Sequence, residues 1–171
     1  MPPATTLQAL LLPELEAELN KTRKMLTYVP NGHNDFKSAE KSMLLSRLAG
    51  HTAEMASLIT VILTHNDVDY GTPSDPRKIL RMETQEKLLA DFDELSTGAL
   101  AAMRATKDET LLETWRASKK GVPAFSLPRY QAYRNMAMNH MIHHRAQLGV
   151  YLRLLGLPVP STFGPTADEA A

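Results

Sequence analysis

Hydrophobic residues recur along most of this chain at spacings of three and four, the signature of amphipathic helices rather than of half-buried strands. In the first segment Leu12, Leu15, Leu19, Thr22 and Leu26 fall on one stripe, which predicts a helix from about Thr6 to Val29, with Pro13 as a kink or a late start. A second stripe runs Leu44, Leu48, His51, Met55, Leu58 and Ile62, so that a histidine stands in the middle of a core face. The third helix is expected to begin at Glu83 or Thr84, a suitable N-cap, to bury Leu88, Phe92, Leu95 and Ala99, and to end near Thr106. A fourth should follow Pro128 and stop at Gly156.

The intervening Gly and Pro clusters, at Pro2-Pro3, Pro30 to Gly32, Gly71 to Pro76, Gly121 to Pro128 and Gly156 to Pro165, punctuate these segments. None of the segments sustains a period of two. The expected fold class is therefore all-α: a four-helix bundle forming one domain over residues 1–171, with a long connection between helices 3 and 4. That connection, with Trp115 and Phe125 in it, is expected to be a packed or partly helical excursion in which Trp115 sits against the bundle.

Composition narrows the chemistry. Nineteen Lys plus Arg balance nineteen Asp plus Glu, and no basic block stands out, so nucleic acid is a poor partner. The absence of Cys removes disulfides, thiolate metal sites and a cysteine nucleophile, leaving His, Asp and Glu to hold any metal. The apolar run from Met55 to Leu63 is far short of the roughly 18 residues of a membrane span. With the first basic residue at Lys21 a secretory signal is unsupported, and a cytoplasmic protein that does not engage membranes is expected.

Three histidines crowd the fourth helix, and the helical wheel chooses among them. At about 100° per residue, Tyr133, Met136, Ala137, His140, His144, Gln147, Tyr151 and Leu155 share one sector, with His143 off its edge. His140 and His144 then stack one turn apart, where both can reach a single metal ion, and His51 of the second helix can supply a third ligand. The alternative is a set of core histidines, but three buried imidazoles without a shared ion would each need separate hydrogen-bond partners. Three neutral ligands leave a divalent ion its full charge and open positions.

Glu54, one turn beyond His51, and Gln147, three residues beyond His144, could each orient a ligand ring through its second nitrogen; for Glu54 the alternative is an ordinary solvent-facing acid. His33 and His65 fall in or beside connections and are read as exposed. No Glu-x-x-His, His-Glu-x-x-His, glycine-rich phosphate loop or serine elbow is present. Beside the inward sector, Met138, Ile142 and Gly149 form a second apolar strip next to Arg145 and Arg153, suited to a partner subunit or to coverage by the Trp115 connection or the Pro-rich tail.

The run Asn139-His140-Met141-Ile142-His143-His144-Arg145-Ala146-Gln147-Leu148, continuing into Tyr151-Leu152-Arg153, and the tail Gly164-Pro165-Thr166-Ala167-Asp168-Glu169, together with a histidine in the second helix, closely resemble the DinB family. The resemblance covers nearly the whole chain and departs slightly at Ala146, where the family often has glycine. It implies a four-helix bundle, a homodimer, and a divalent nickel or zinc ion on three histidines, which fall on His51, His140 and His144. Branches of the family include transferases that join a low-molecular-weight thiol, such as bacillithiol or mycothiol, to an electrophile, and thiol-dependent isomerases. The expected activity is therefore a metal-dependent thiol transfer, with a small-molecule thiol and an electrophile as partners and no catalytic side chain assigned. Metal-assisted hydrolysis and non-catalytic binding of a metal or small ligand are the alternatives.

Overall fold

A computed structural model describes residues 5–169; the Pro2-Pro3 pair lies outside them. Helix α1, Leu7–Leu26, starts where Thr6 accepts a hydrogen bond from the Ala9 N–H. Its free backbone donors at Leu7 and Gln8 are met by the two carboxylate oxygens of Asp108, 2.8 and 3.1 Å away, which also place negative charge at the positive end of the helix dipole. Pro13 stays inside the helix.

Helix α2, Leu45–Thr64, is buried along nearly its whole length and forms the centre of the bundle, packing on α3, Gln85–Ala105, and on the last helix. Thr84 is the N-cap of α3, accepting from the Lys87 N–H. After a short helix α4, Asp108–Leu112, the chain enters a sheet and then runs through α5, Arg129–Ala132, a π-helical stretch over Tyr133–Met138, and α6, Asn139–Leu154. Gly156, at φ +71°, takes the left-handed conformation that ends this helix.

The all-α expectation is overturned by the segments between the long helices. Strand β1, Asp67–Tyr70, pairs in parallel with β2, Thr114–Lys119, which pairs antiparallel with β3, Val122–Pro128, giving a three-stranded mixed sheet in the order β1-β2-β3. The fold is thus mostly helical with a sheet added, not a pure four-helix bundle. Lys120 and Gly121, at φ 52° and 79°, make the two-residue turn between β2 and β3; two positive φ values match the twist of paired strands, and the Asp69 carboxylate accepts the Gly121 N–H. Trp115 and Ala117 point inward from β2, with Trp115 fully buried and its ring tilted on Phe125. Pro123 is tolerated because β3 lies at the sheet edge.

Arg129, 2% exposed, joins the sheet to the bundle. Its guanidinium donates to the carbonyls of Ile62, His65 and Thr110 and to the Asn66 side chain, closing the C-terminal end of α2. The apolar strip of the last helix is covered within the chain: Met138 is buried, and a Cβ at Gly149 would meet Val159 of the tail at 3.4 Å and Met25 at 3.8 Å.

The tail is held by carboxylates. Asp168 pairs with Arg153, while Glu169 accepts from Lys24, Tyr28 and Ser161. The hydrogen bonds from Lys24 and Ser161 bring the Glu169 carboxyl down to about 2. A folded-state value below the unfolded one means that this contact is fully in place above the ordinary carboxylate range and is lost as pH falls through about 2. In a carbon-detected NMR titration the Glu169 carboxyl should accordingly have its midpoint near 2; a midpoint above 4 would show that the tail is not docked in this way.

Candidate metal centre

Packing of α2 against the last helix brings His51, His140 and His144 together. Their ring centroids lie 4.5 to 5.0 Å apart, and one nitrogen from each ring falls within 4.8 Å of the other two. His143, one residue from His144, is exposed and stays outside this group. His33 and His65 are exposed, far from it in the chain.

Each of the three rings is held by its Nδ1. His51 donates to Glu54 Oε1 at 2.5 Å, His144 donates to Gln147 Oε1 at 2.7 Å, and His140 faces the Met136 carbonyl at 3.3 Å. Protons fixed on Nδ1 leave the Nε2 lone pairs as the metal-facing atoms. His144 is 5% exposed, and its Nε2 is buried with no hydrogen-bond partner among the described residues. An unpaired buried acceptor is costly, and a divalent ion, with bonds to imidazole of about 2.0–2.1 Å, is the kind of partner that satisfies it. The donor set therefore fits a metal ion.

Burial pulls the His144 pKa down to about 4, against the opposing hydrogen bond to Gln147 and with the help of His51 and His140; burial also lowers His140. Both rings are thus neutral at pH 7 and have lone pairs to donate.

Glu54 is 3% exposed and wholly enclosed in polar contacts, not a solvent-facing acid. Arg47 donates to both of its oxygens, at 2.7 and 3.0 Å, and the Leu80 N–H donates to Oε2 at 2.7 Å. Burial alone would raise the carboxyl's pKa, but the hydrogen bonds with His51, Arg47 and Leu80 outweigh it and hold the group below its ordinary value. Arg47 also donates to the Leu80 carbonyl, so the segment before α3 closes the network from the far side. Arg47 and Leu80 were not picked out from the sequence. Arg47 stands four residues before His51 on the same helical face, which is a readable signal; Leu80 acts through its backbone and leaves none.

Because Gln147 reaches the centre through the His144 ring, its loss should loosen the metal without unfolding the chain. Gln147→Leu is expected to weaken divalent-ion affinity about 10- to 100-fold. Competition against a chromophoric chelator measures this, and unchanged affinity would remove Gln147 from the site.

The fold has relatives. Among the described residues, no helix is long and apolar enough to cross a membrane. The chain is 26% identical over 158 residues, 91% of its length and 87% of the relative's, to the uncharacterized protein YrdA of Bacillus subtilis (strain 168). Its fold matches crystal structures of two DinB-like proteins. One is from Bacillus cereus ATCC 10987, with TM-score 0.67 and 21% identity over 93% of this chain and 99% of that one. The other, YjoA of Bacillus subtilis, has TM-score 0.68 and 19% identity over 88% and 96%. The model of the DinB family matches residues 1–171, and the chain therefore belongs to the DinB family.

Proposed function

We propose that this protein is a metal-dependent transferase that joins a low-molecular-weight thiol to an electrophile, with nickel or zinc held by His51, His140 and His144. The observation that carries the reading is the unpartnered, buried Nε2 of His144 beside two further imidazoles, all three fixed through Nδ1. A divalent ion on three neutral ligands supplies positive charge that favours a thiolate over a thiol. The chain's own part is to keep His140 and His144 deprotonated by burial and to hold the rings in one orientation through Glu54, Gln147 and the Met136 carbonyl. With no cysteine in the chain, the attacking sulfur must come from the substrate. In the transfer an S–C bond forms, the electrophile's leaving group departs with its bonding pair, and the thiol proton passes to solvent. A cytoplasmic location and pairing of two copies belong to the same proposal; the latter is an expectation taken from the resemblance to the family, and sedimentation showing only monomer at micromolar concentration would end it.

The test is turnover of 1-chloro-2,4-dinitrobenzene with cysteine, glutathione or bacillithiol by protein reconstituted with nickel or zinc. Turnover that needs both metal and thiol, and that a chelator abolishes reversibly, supports the reading. Metal-dependent hydrolysis without thiol would replace it with a hydrolase, and the absence of turnover with any of these thiols would favour a binding protein.

A further inference from the structure

One helical turn from the histidines, on the side of α2's N-terminus and α6's C-terminal half, lies a cleft of about 320 Å³. Leu48, three residues before His51, and Gln147, three residues after His144, form its inner wall, so it adjoins the histidine cluster at a distance of just under one turn, roughly 4.5 Å along each helix. Its outer wall is the connection from α1 to α2, with Ser38, Lys41, Ser42 and Met43. That connection is tied down: Tyr151 Oη donates to the Met43 carbonyl at 2.8 Å, the Phe36 ring meets Tyr151 edge-on at 5.8 Å, and the Leu45 and Ser46 N–H groups bond the carbonyls of Phe36 and Asn34. The cleft is preformed, and its volume lies at the small end of the range for ligand pockets.

The chemistry of the two walls differs. The inner surface is mostly apolar, from Leu48, Val150 and the Tyr151 ring, with Gln147 at its deep end, whereas the outer one carries Lys41 and two serines, and neither Asp nor Glu lines the cleft. Ser38 donates to Ser42 Oγ at 2.9 Å, which leaves the Ser42 O–H free to donate elsewhere. A cation and a free hydroxyl at one end, an apolar wall along the middle and a metal-ligand cluster one turn away are complementary to a short molecule with an anionic end.

We propose that this cleft binds a small organic carboxylate, its charged end on Lys41 and Ser42, its short apolar body on Leu48, Val150 and Tyr151, and its far end at Gln147, behind the His144 ring. This reading stands independently of the metal-centred one.

Hexanoate is the probe, with hexan-1-ol as its uncharged counterpart, followed by backbone amide NMR on the full chain, both metal-free and zinc-loaded. Hexanoate is expected to shift amides in residues 38–48 and 147–151 saturably in both forms. Hexan-1-ol should bind at least tenfold more weakly. Lys41 is exposed, so Lys41→Glu should fold normally, and it should weaken hexanoate at least tenfold while leaving zinc affinity unchanged. The proposal fails if hexanoate gives no saturable shifts in these segments, if hexan-1-ol binds equally well, or if Lys41→Glu binds hexanoate as well as the parent, as it would were the carboxylate seated on the metal. If the histidines bind no metal while hexanoate behaves as stated, the cleft stands and the metal-centred reading falls.

Discussion

Replacing Arg145 with Met is expected to lower the stability of the chain by about 3–5 kcal/mol, the usual cost of removing one partner from a buried ion pair. The Arg145 side chain is 2% exposed and that of Glu18 is 6% exposed, with Nη2 and Oε2 2.6 Å apart. Arg145 also donates through Nη1 to the Glu18 carbonyl and to Thr22 Oγ1, both at 3.1 Å, joining α1 to α6 on the side away from the histidines. Burial pushes the Glu18 carboxyl up, but hydrogen bonds from Lys21 and Arg145 reverse this and keep it ionised. Arg145→Met therefore leaves a buried carboxylate with Lys21 as its remaining cation. The loss is a large share of the 5–15 kcal/mol that typically separates folded from unfolded states. Removing Glu18 as well should recover much of it, because no unpaired charge then remains. Urea denaturation of the two single variants and the double variant measures the coupling. Independent, additive losses would show that the pair is not buried in solution.

Gly50→Ala should cost at least about 2 kcal/mol, at the upper part of the range for overpacking. A Cβ at Gly50 would lie 2.3 Å from the Leu80 carbonyl oxygen and 2.8 Å from the Arg81 Cα. Both obstacles are backbone, so relief requires the segment before α3 to move off α2. That movement would break the hydrogen bonds of Leu80 to Glu54 and Arg47, the network that sets the His51 ring. Weaker metal binding should accompany the loss of stability. Gly98→Ala is the matched control: its Cβ would meet Thr60 Oγ1 at 3.6 Å, an ordinary contact, and Ala in place of Gly inside α3 should be neutral or stabilising by roughly 0.5–1 kcal/mol. Equal thermal midpoints for Gly50→Ala and the parent would refute the close approach.

How far the sequence carries can be judged from particular residues. The helical stripes located the long helices because each buries one face against a neighbour, and a period near 3.6 is the direct record of that burial. His140 and His144 were separated from His143 by the same periodicity. The sheet was missed for a different reason. Trp115 and Ala117 alternate with exposed Arg116, and Lys120-Gly121 has the positive-φ glycine of a tight hairpin turn, yet Pro123 within β3 and Pro128 at its end read as punctuation when that strand is in fact an edge. Strand β1 is four residues with two aspartates, too short and polar to show a pattern. The acceptor for His140 is a main-chain carbonyl in a π-helical stretch, and no side-chain type encodes it. Glu54 was legible only as one of two readings, because its burial depends on Arg47 and on a backbone segment far along the chain.

The direct test is the divalent-metal content of protein prepared without a histidine tag and reconstituted with zinc or nickel, compared with His51→Ala, His140→Ala, His144→Ala and His143→Ala. One ion per chain is expected in the parent, with most of it lost on replacing any of the three clustered histidines while the helical content is kept, and little lost on replacing His143. Full occupancy in His51→Ala, or equal loss from His143→Ala and His144→Ala, would contradict a centre built on these three rings.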